Sequence, residues 1–284
     1  MPSRNEIQKE ILDKRIGAQD EIRRRYLRAL ANYTHRDTIV YASAFTAHKG
    51  PIVPGLVMSV TLEDIQGFMA ALHGLKGDKL DLIIHSPGGS MEAADQIVQY
   101  LRSKYKHIRA IIPQNAMSAA TMIACACDEI IMGKHSAIGP IDPQITFPTS
   151  AGSFTAPAQS ILDEFEQAKK EVKENPSTAP LWVNKIKAYP HGFLNICLTT
   201  LKLSQEKVEE WLNTYMFSDL PEDIKSGSKI AEWLVNAKIH KTHGRPITIE
   251  KAREVGLYVT ALEDDQKLQE KVLSAFHAIM VTFG

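Results

Sequence analysis

Residues 80–145 read LDLIIHSPGGSMEAADQIVQYLRSKYKHIRAIIPQNAMSAATMIACACDEIIMGKHSAIGPIDPQI. Leu80 to His85 is a short apolar run, which predicts a buried strand. Pro87-Gly88-Gly89-Ser90 is a turn, and a helix is expected from there to about Ser103. Ile108 to Ile112 is a second buried strand, ended by Pro113. Met117 to Ala126 reads as a helix of small residues, and Asp128 to Met132 as a third strand. Strands that are continuously apolar and alternate with helices indicate a mainly parallel sheet covered on both faces, an α/β fold.

Upstream, Thr38 to Ser43 reads as a strand and 44–57, with Gly50, Pro51, Pro54 and Gly55, as a loop. Thr61 and Asp64 look like the start of a helix that runs to about Leu75. Residues 3–32 carry a helical pattern. Ser3 and Glu6 form a candidate capping box, and Ile7, Ile11, Ile16, Ile22, Tyr26 and Leu30 recur on one face. That amphipathic helix either packs on its own domain or serves self-association. After Ser150 the texture turns helical, with pieces expected at 161–173, 181–203, 205–217, 229–237, 249–255 and 264–281, punctuated by Pro176, Pro180, Pro190, Pro221 and Gly256. The expected organisation is an N-terminal helix (1–34), an α/β core (35–150) and a helical extension of the same domain (151–284).

The 284 residues are 44% hydrophobic and 23% charged, which excludes disordered, collagen-like and coiled-coil classes. Lys+Arg and Asp+Glu balance at 33 each, so no net basic field favours nucleic acid or an anionic membrane. Cys125, Cys127 and Cys197 fit no disulfide framework, and a reducing compartment is the simpler reading. The first thirty residues are charged throughout and lack the apolar core of a secretory signal. The most apolar window, Ile108 to Cys127, is interrupted by Pro113, Gln114 and Asn115 and suits a strand, turn and helix rather than a membrane span. A cytoplasmic protein without an integral membrane segment is expected. Cys125 and Cys127 are two apart on a helix and point to different faces, and neither HExxH nor paired CxxC occurs, so no metal or other cofactor is expected.

The residues with chemical potential lie at two strand-to-helix junctions, HSPGGSMEAA (85–94) and PQNAMSAATMIA (113–124). Open parallel sheets bind ligands at the carboxyl ends of their strands, where these turns fall. Gly88 and Gly89 allow a sharp turn that points bare N–H groups outward. No phosphate-binding fingerprint is present. Ser118 stands where a helix begins, a position that suits either a helix N-cap or a nucleophile. The junctions are one strand–helix–strand step apart and can lie side by side. That layout suits acyl transfer, with a serine hydroxyl attacking a carbonyl and two backbone N–H groups holding the oxyanion.

Three blocks, SPGG (86–89), AMSAATMIA (116–124) and MGKHSAIGPIDPQI (132–145), resemble the ClpP/crotonase-fold serine peptidases, and among them the serine dehydrogenase proteinase family, relatives of signal peptide peptidase A. HGRPI (243–247) and LEDD (262–265) share the resemblance, which spans most of the chain. It implies a spiral of β-β-α units, a peptide or protein substrate and assembly into a homo-oligomer. Residue by residue, it implies that Ser118 is the nucleophile and that the N–H groups of Gly89 and Ala119 form the oxyanion hole. Pro87 and Gly88 shape that hole. The stretch from Ser136 to Pro143, including Ile138, Gly139 and Pro140, lines the substrate groove.

The general base is harder to assign. The histidine of ClpP would fall near Gly139 to Ile141, where this sequence has none. Signal peptide peptidase A uses a lysine further on, and Lys170 and then Lys169 stand at a comparable distance from Ser118, which would make a Ser–Lys hydrolase. Their local sequence, KKEVKE, is also that of a solvated helix face, whereas a lysine base must be desolvated. His135 and His243 are the next candidates, and His85 has a structural role. A peptide-binding scaffold lacking an effective base is the alternative reading.

Overall fold

The computed structural model describes residues 18–46, 58–149 and 152–283, with Glu6, Ile7 and Lys9. Five parallel strands form the central sheet, β1 (Asp37–Ala42), β2 (Lys79–His85), β3 (His107–Ile112), β5 (Glu129–Met132) and β9 (Val259–Ala261), in that spatial order, and the short strands β4 (Asn115–Ala116) and β6 (Ala137–Ile138) form a separate parallel pair. Leu80 to His85 are all buried, so both faces of β2 are covered, as its predominantly apolar character predicts. Each leucine or isoleucine so buried contributes about 1.5–3 kcal/mol.

The helices between the strands follow the expected positions. α1 (Ala18–Thr34) precedes β1, and α2 (Asp64–Leu72) precedes β2. α3 (Met91–Lys104) is capped by Ser90, whose Oγ accepts the Ala93 N–H at 3.1 Å. It buries Ala93, Ala94, Ile97, Val98 and Leu101, one stripe at helical spacing. α4 (Ala119–Cys125) is buried along its whole length. On the other side, Ile22 of α1 and Ile7 pack with Ala278 of the C-terminal helix α11 (Gln266–Met280), so this helix face meets its own chain. Ser3, Ile11 and Ile16 lie outside the described residues.

A polar network ties the amino ends of the strands together. Asp81 is fully buried in β2 and pairs with Arg36 and Arg109, each at 2.8 Å. The Arg109 fork is bidentate, which satisfies both carboxylate oxygens in a site without water access. The carboxyl ends of the same strands are left for the site.

The second half departs from the helical expectation in two places. β7 (Gln144–Thr149) and β8 (Gly152–Pro157) form an antiparallel hairpin. Near the C-terminus, β9 returns to the edge of the main sheet beside β5. Between them run α5 (Ala158–Glu174), α6 (Ala179–Lys187) and α7 (Phe193–Trp211), then α8 (Gly227–Val235), α9 (Ala237–His240) and α10 (Ile249–Glu254). α7 passes straight through the break expected near residue 204. Ser204 is buried there, and its hydroxyl bonds the Ile141 carbonyl at 3.0 Å. Among the described residues, no helix is long and apolar enough to cross a membrane.

Candidate active site

Two junctions at the carboxyl end of the sheet are knitted into one unit. The Ser86 N–H donates to the Asn115 carbonyl and the Met117 N–H to the Ser86 carbonyl, both at 3.0 Å. The turn after β2 and the turn after β3 are thereby held side by side. Gly88 fits here for a steric reason: a Cβ on it would stand 2.5 Å from Ser118 Cβ and from the Met117 carbonyl, and its φ is +93°. No side chain can occupy that space.

Ser118 has φ +52° and ψ −121°, a conformation that costs an L-residue about 1–3 kcal/mol. It immediately precedes α4, yet its side chain makes no capping hydrogen bond to the helix. The geometry therefore disfavours the N-cap role and resembles the strained strand–turn–helix elbow that lifts a nucleophile above a sheet. Thr121 braces the elbow from below, donating to the Ala116 carbonyl at 2.7 Å and accepting the Gly139 N–H at 2.9 Å. Ala119 is the first residue of α4, where an N–H has no intrahelical acceptor. Gly89 lies beside Val60, but the two hydrogen bonds of that contact use the Gly88 carbonyl and the Ser90 N–H, leaving the Gly89 N–H unused among the described residues.

These groups open into a cleft of about 470 Å³. Gly88, Gly89, Ser118 and Ala119 line it together with Met122, Ile141, Pro143, Gln144, Ile145 and His243. Of the stretch Ser136 to Pro143 expected at the groove, Ile141 and Pro143 line the cleft. Ser136, Ile138, Gly139 and Pro140 are buried and do not line the cleft. The Ser136 hydroxyl instead accepts the Gly133 N–H at 3.1 Å, and a Cβ on Gly139 would press 2.6 Å from Met117 Cε. These residues support the elbow, and Ile141, Pro143, Gln144 and Ile145 face the cleft.

The two lysines are not brought to Ser118. Both sit on α5, Lys169 58% exposed and bonded to Glu166 at 2.8 Å, and Lys170 74% exposed with Glu174 at 4.0 Å. Neither lines the cleft. Exposed on a solvated helix face and outside the cleft, neither is placed within this chain to take a proton from Ser118. His135 bonds the Pro113 carbonyl through Nε2 at 2.9 Å and faces a different cavity, with Thr46 and Gln114. His85 is buried between Phe45 and Phe276, and desolvation pushes its pKa down to about 4.

His243 does reach the cleft. Its Nδ1 lies 2.8 Å from Oδ1 of Asp142, a carboxylate only 2% exposed, while His243 itself is 29% exposed. Gln144 Nε2 donates to the other Asp142 oxygen at 2.6 Å, so the carboxylate cannot swing away. With Nδ1 engaged by Asp142, Nε2 is the nitrogen left to the cleft. The 243 segment is anchored there by a two-way backbone contact, Ile247 N–H to the Ile138 carbonyl at 2.8 Å and Ile138 N–H to the Ile247 carbonyl at 3.1 Å. Asp142, which meets His243 beside the cleft, is a residue that sequence reading did not single out. Its one signal is a carboxylate set between Ile141 and Pro143 in an otherwise apolar run. Among the described residues, no group of three His, Cys, Asp or Glu side chains could hold a metal ion.

A family model described as ClpP-like SDH-type serine proteinase matches residues 17–273. The chain belongs to this family. It is 32% and 30% identical to two uncharacterized proteins of Methanocaldococcus jannaschii, each match covering 70% of this chain and 60% and 59% of the relative. The chain thus spans about 60% of the length of these curated relatives. Similar solved structures include a substrate-peptide complex of the 1510-N membrane-bound stomatin-specific protease, at TM-score 0.45 and 16% identity over 83% of this chain and 80% of that one. ClpP1 from Listeria monocytogenes is similar at TM-score 0.39 and 13% identity over 84% of this chain and 99% of that one.

Proposed function

We propose that the protein is a serine peptidase in which Ser118 is the nucleophile, His243 the general base and Asp142 the residue that orients it. The observation that carries this reading is the Asp142–His243 pair at 2.8 Å, whose histidine lines the same cleft as Ser118. In this reading His243 Nε2 takes the Ser118 hydroxyl proton as Oγ attacks the scissile carbonyl. The N–H groups of Gly89 and Ala119 stabilise the oxyanion, a contribution of about 3–4 kcal/mol per donor in comparable sites. The imidazolium then passes its proton to the leaving amine as the C–N bond breaks. Water, activated by the same nitrogen, hydrolyses the acyl-Ser118 ester and restores the hydroxyl.

This assignment replaces a Ser–Lys arrangement with a Ser–His–Asp one, and it removes the motive for reading the chain as an inert scaffold, since a base with an orienting carboxylate is at hand. A fluorophosphonate probe tests the reading. Wild-type protein is expected to be labelled at Ser118 and Ser118→Ala to remain unlabelled while folding normally. A folded wild-type protein that stays unlabelled across several such probes would overturn it.

A further inference from the structure

Building on the peptidase reading of the cleft, we propose that Glu92 selects peptides that carry a lysine or arginine close to the bond to be cut. Glu92 lines the same cleft as Ser118 and is the only carboxylate that does so among the described residues; no lysine or arginine lines it. Ser90 Oγ donates to Glu92 Oε2 at 2.7 Å, and Ser90 is itself fixed as the N-cap of α3. The carboxylate is thus held with one oxygen already oriented. Among the described residues it has no cationic partner. The nearest acid on the same helix differs in this respect: Asp95, one turn on, faces Lys207 at 3.5 Å, and Lys207 also meets Glu210 at 3.4 Å.

Position along the chain sets the reach. Glu92 is three residues beyond Gly89, at most about 10 Å of extended backbone. A substrate whose carbonyl lies against the Gly89 N–H therefore places neighbouring side chains within range of the carboxylate. Met91, Met122, Ile141 and Ile145 provide apolar wall in the same cleft. An aliphatic stem that rests on such a surface while its charged head reaches a carboxylate describes lysine and arginine. A first-turn carboxylate also complements the helix dipole. That role affects helix stability but is indifferent to the charge of a bound peptide, so peptide charge is the discriminating variable.

The test is a fluorescence-anisotropy titration of the full chain carrying Ser118→Ala, which binds without turnover. The probes are labelled peptides that place lysine or its uncharged analogue norleucine at each position in turn. At one or two positions the lysine peptide is expected to bind roughly fivefold more tightly, the scale of an exposed ion pair. The gap should close in 0.5 M salt and in the double variant with Glu92→Gln. A set in which no position distinguishes lysine from norleucine overturns the proposal, as does a gap that survives Glu92→Gln unchanged, or a failure of every peptide to bind. Probe labelling of wild-type Ser118 reports on the peptidase reading separately, so the two can fail independently.

Discussion

The carboxyl edge of the parallel sheet and the outer face of α5 both carry groups with nucleophilic or basic chemistry, and they differ in what holds those groups. At the sheet edge, Ser118 is strained and braced by Thr121, and His243 is aligned by a buried carboxylate. On α5, Lys169 and Lys170 extend into solvent beside glutamates on their own helix. Distance along the chain had favoured the lysines. A base, however, must stand within hydrogen-bond reach of the hydroxyl, and neither lysine lines the cleft. Fixed geometry and partial desolvation, more than residue type, separate the two regions.

Removing the imidazole attacks the difference most directly. His243→Ala should lower kcat/KM for peptide or ester hydrolysis about 10⁶-fold, and Asp142→Asn about 10⁴-fold, with melting temperatures near wild type. Steady-state kinetics check this, and activity within tenfold of wild type in His243→Ala would return the search to another base. A second experiment sharpens the contrast within the sheet edge itself, since His85 stands there without a carboxylate partner. Burial lowers its folded pKa to about 4, against about 6.5 when unfolded. Between those values the unfolded chain binds the extra proton. The contribution is therefore complete above pH 6.5 and is lost as pH falls towards 4. Urea midpoints at pH 7 and pH 5 should differ less in His85→Gln than in wild type. The slope should shrink and not vanish, because burial also lowers His107 and His240. An unchanged pH difference would show that His85 does not titrate on unfolding. The smallest effect belongs to α5: Lys169→Met and Lys170→Met should each change kcat/KM less than about twofold, the expectation for surface changes away from a site. A loss of several orders of magnitude in either would reverse the comparison.

The parallel core was legible because burial writes itself into the sequence. LDLII and IRAII are apolar on both faces apart from Asp81 and Arg109, which pair with each other, and the helices between them repeat their apolar stripes at helical spacing. The glycine turn and the serine before α4 were legible for a similar reason, since the backbone there needs particular residues. The base was not. Asp142 and His243 are separated by 101 residues and meet only because Ile247 pairs with Ile138. No local period records such a contact. The same blindness hid β9, a three-residue strand defined only by the β5 edge it joins. Nor does a buried run such as SAIGPI reveal which of its members turn outward: Ile141 lines the cleft, while Ser136, Ile138, Gly139 and Pro140 do not.

The contact between Ile138 and Ile247 also bears on when the site comes into being. The ribosome completes the Ser118 elbow, with both strands that support it, long before it adds His243, and the segment that seats the imidazole follows later still. In the Ser–His–Asp reading, a nascent chain carries its nucleophile without the means to activate it. Catalytic competence then waits on the last fifth of the sequence, and the emerging polypeptide, itself a peptide within reach of its own cleft, is spared while it is being made.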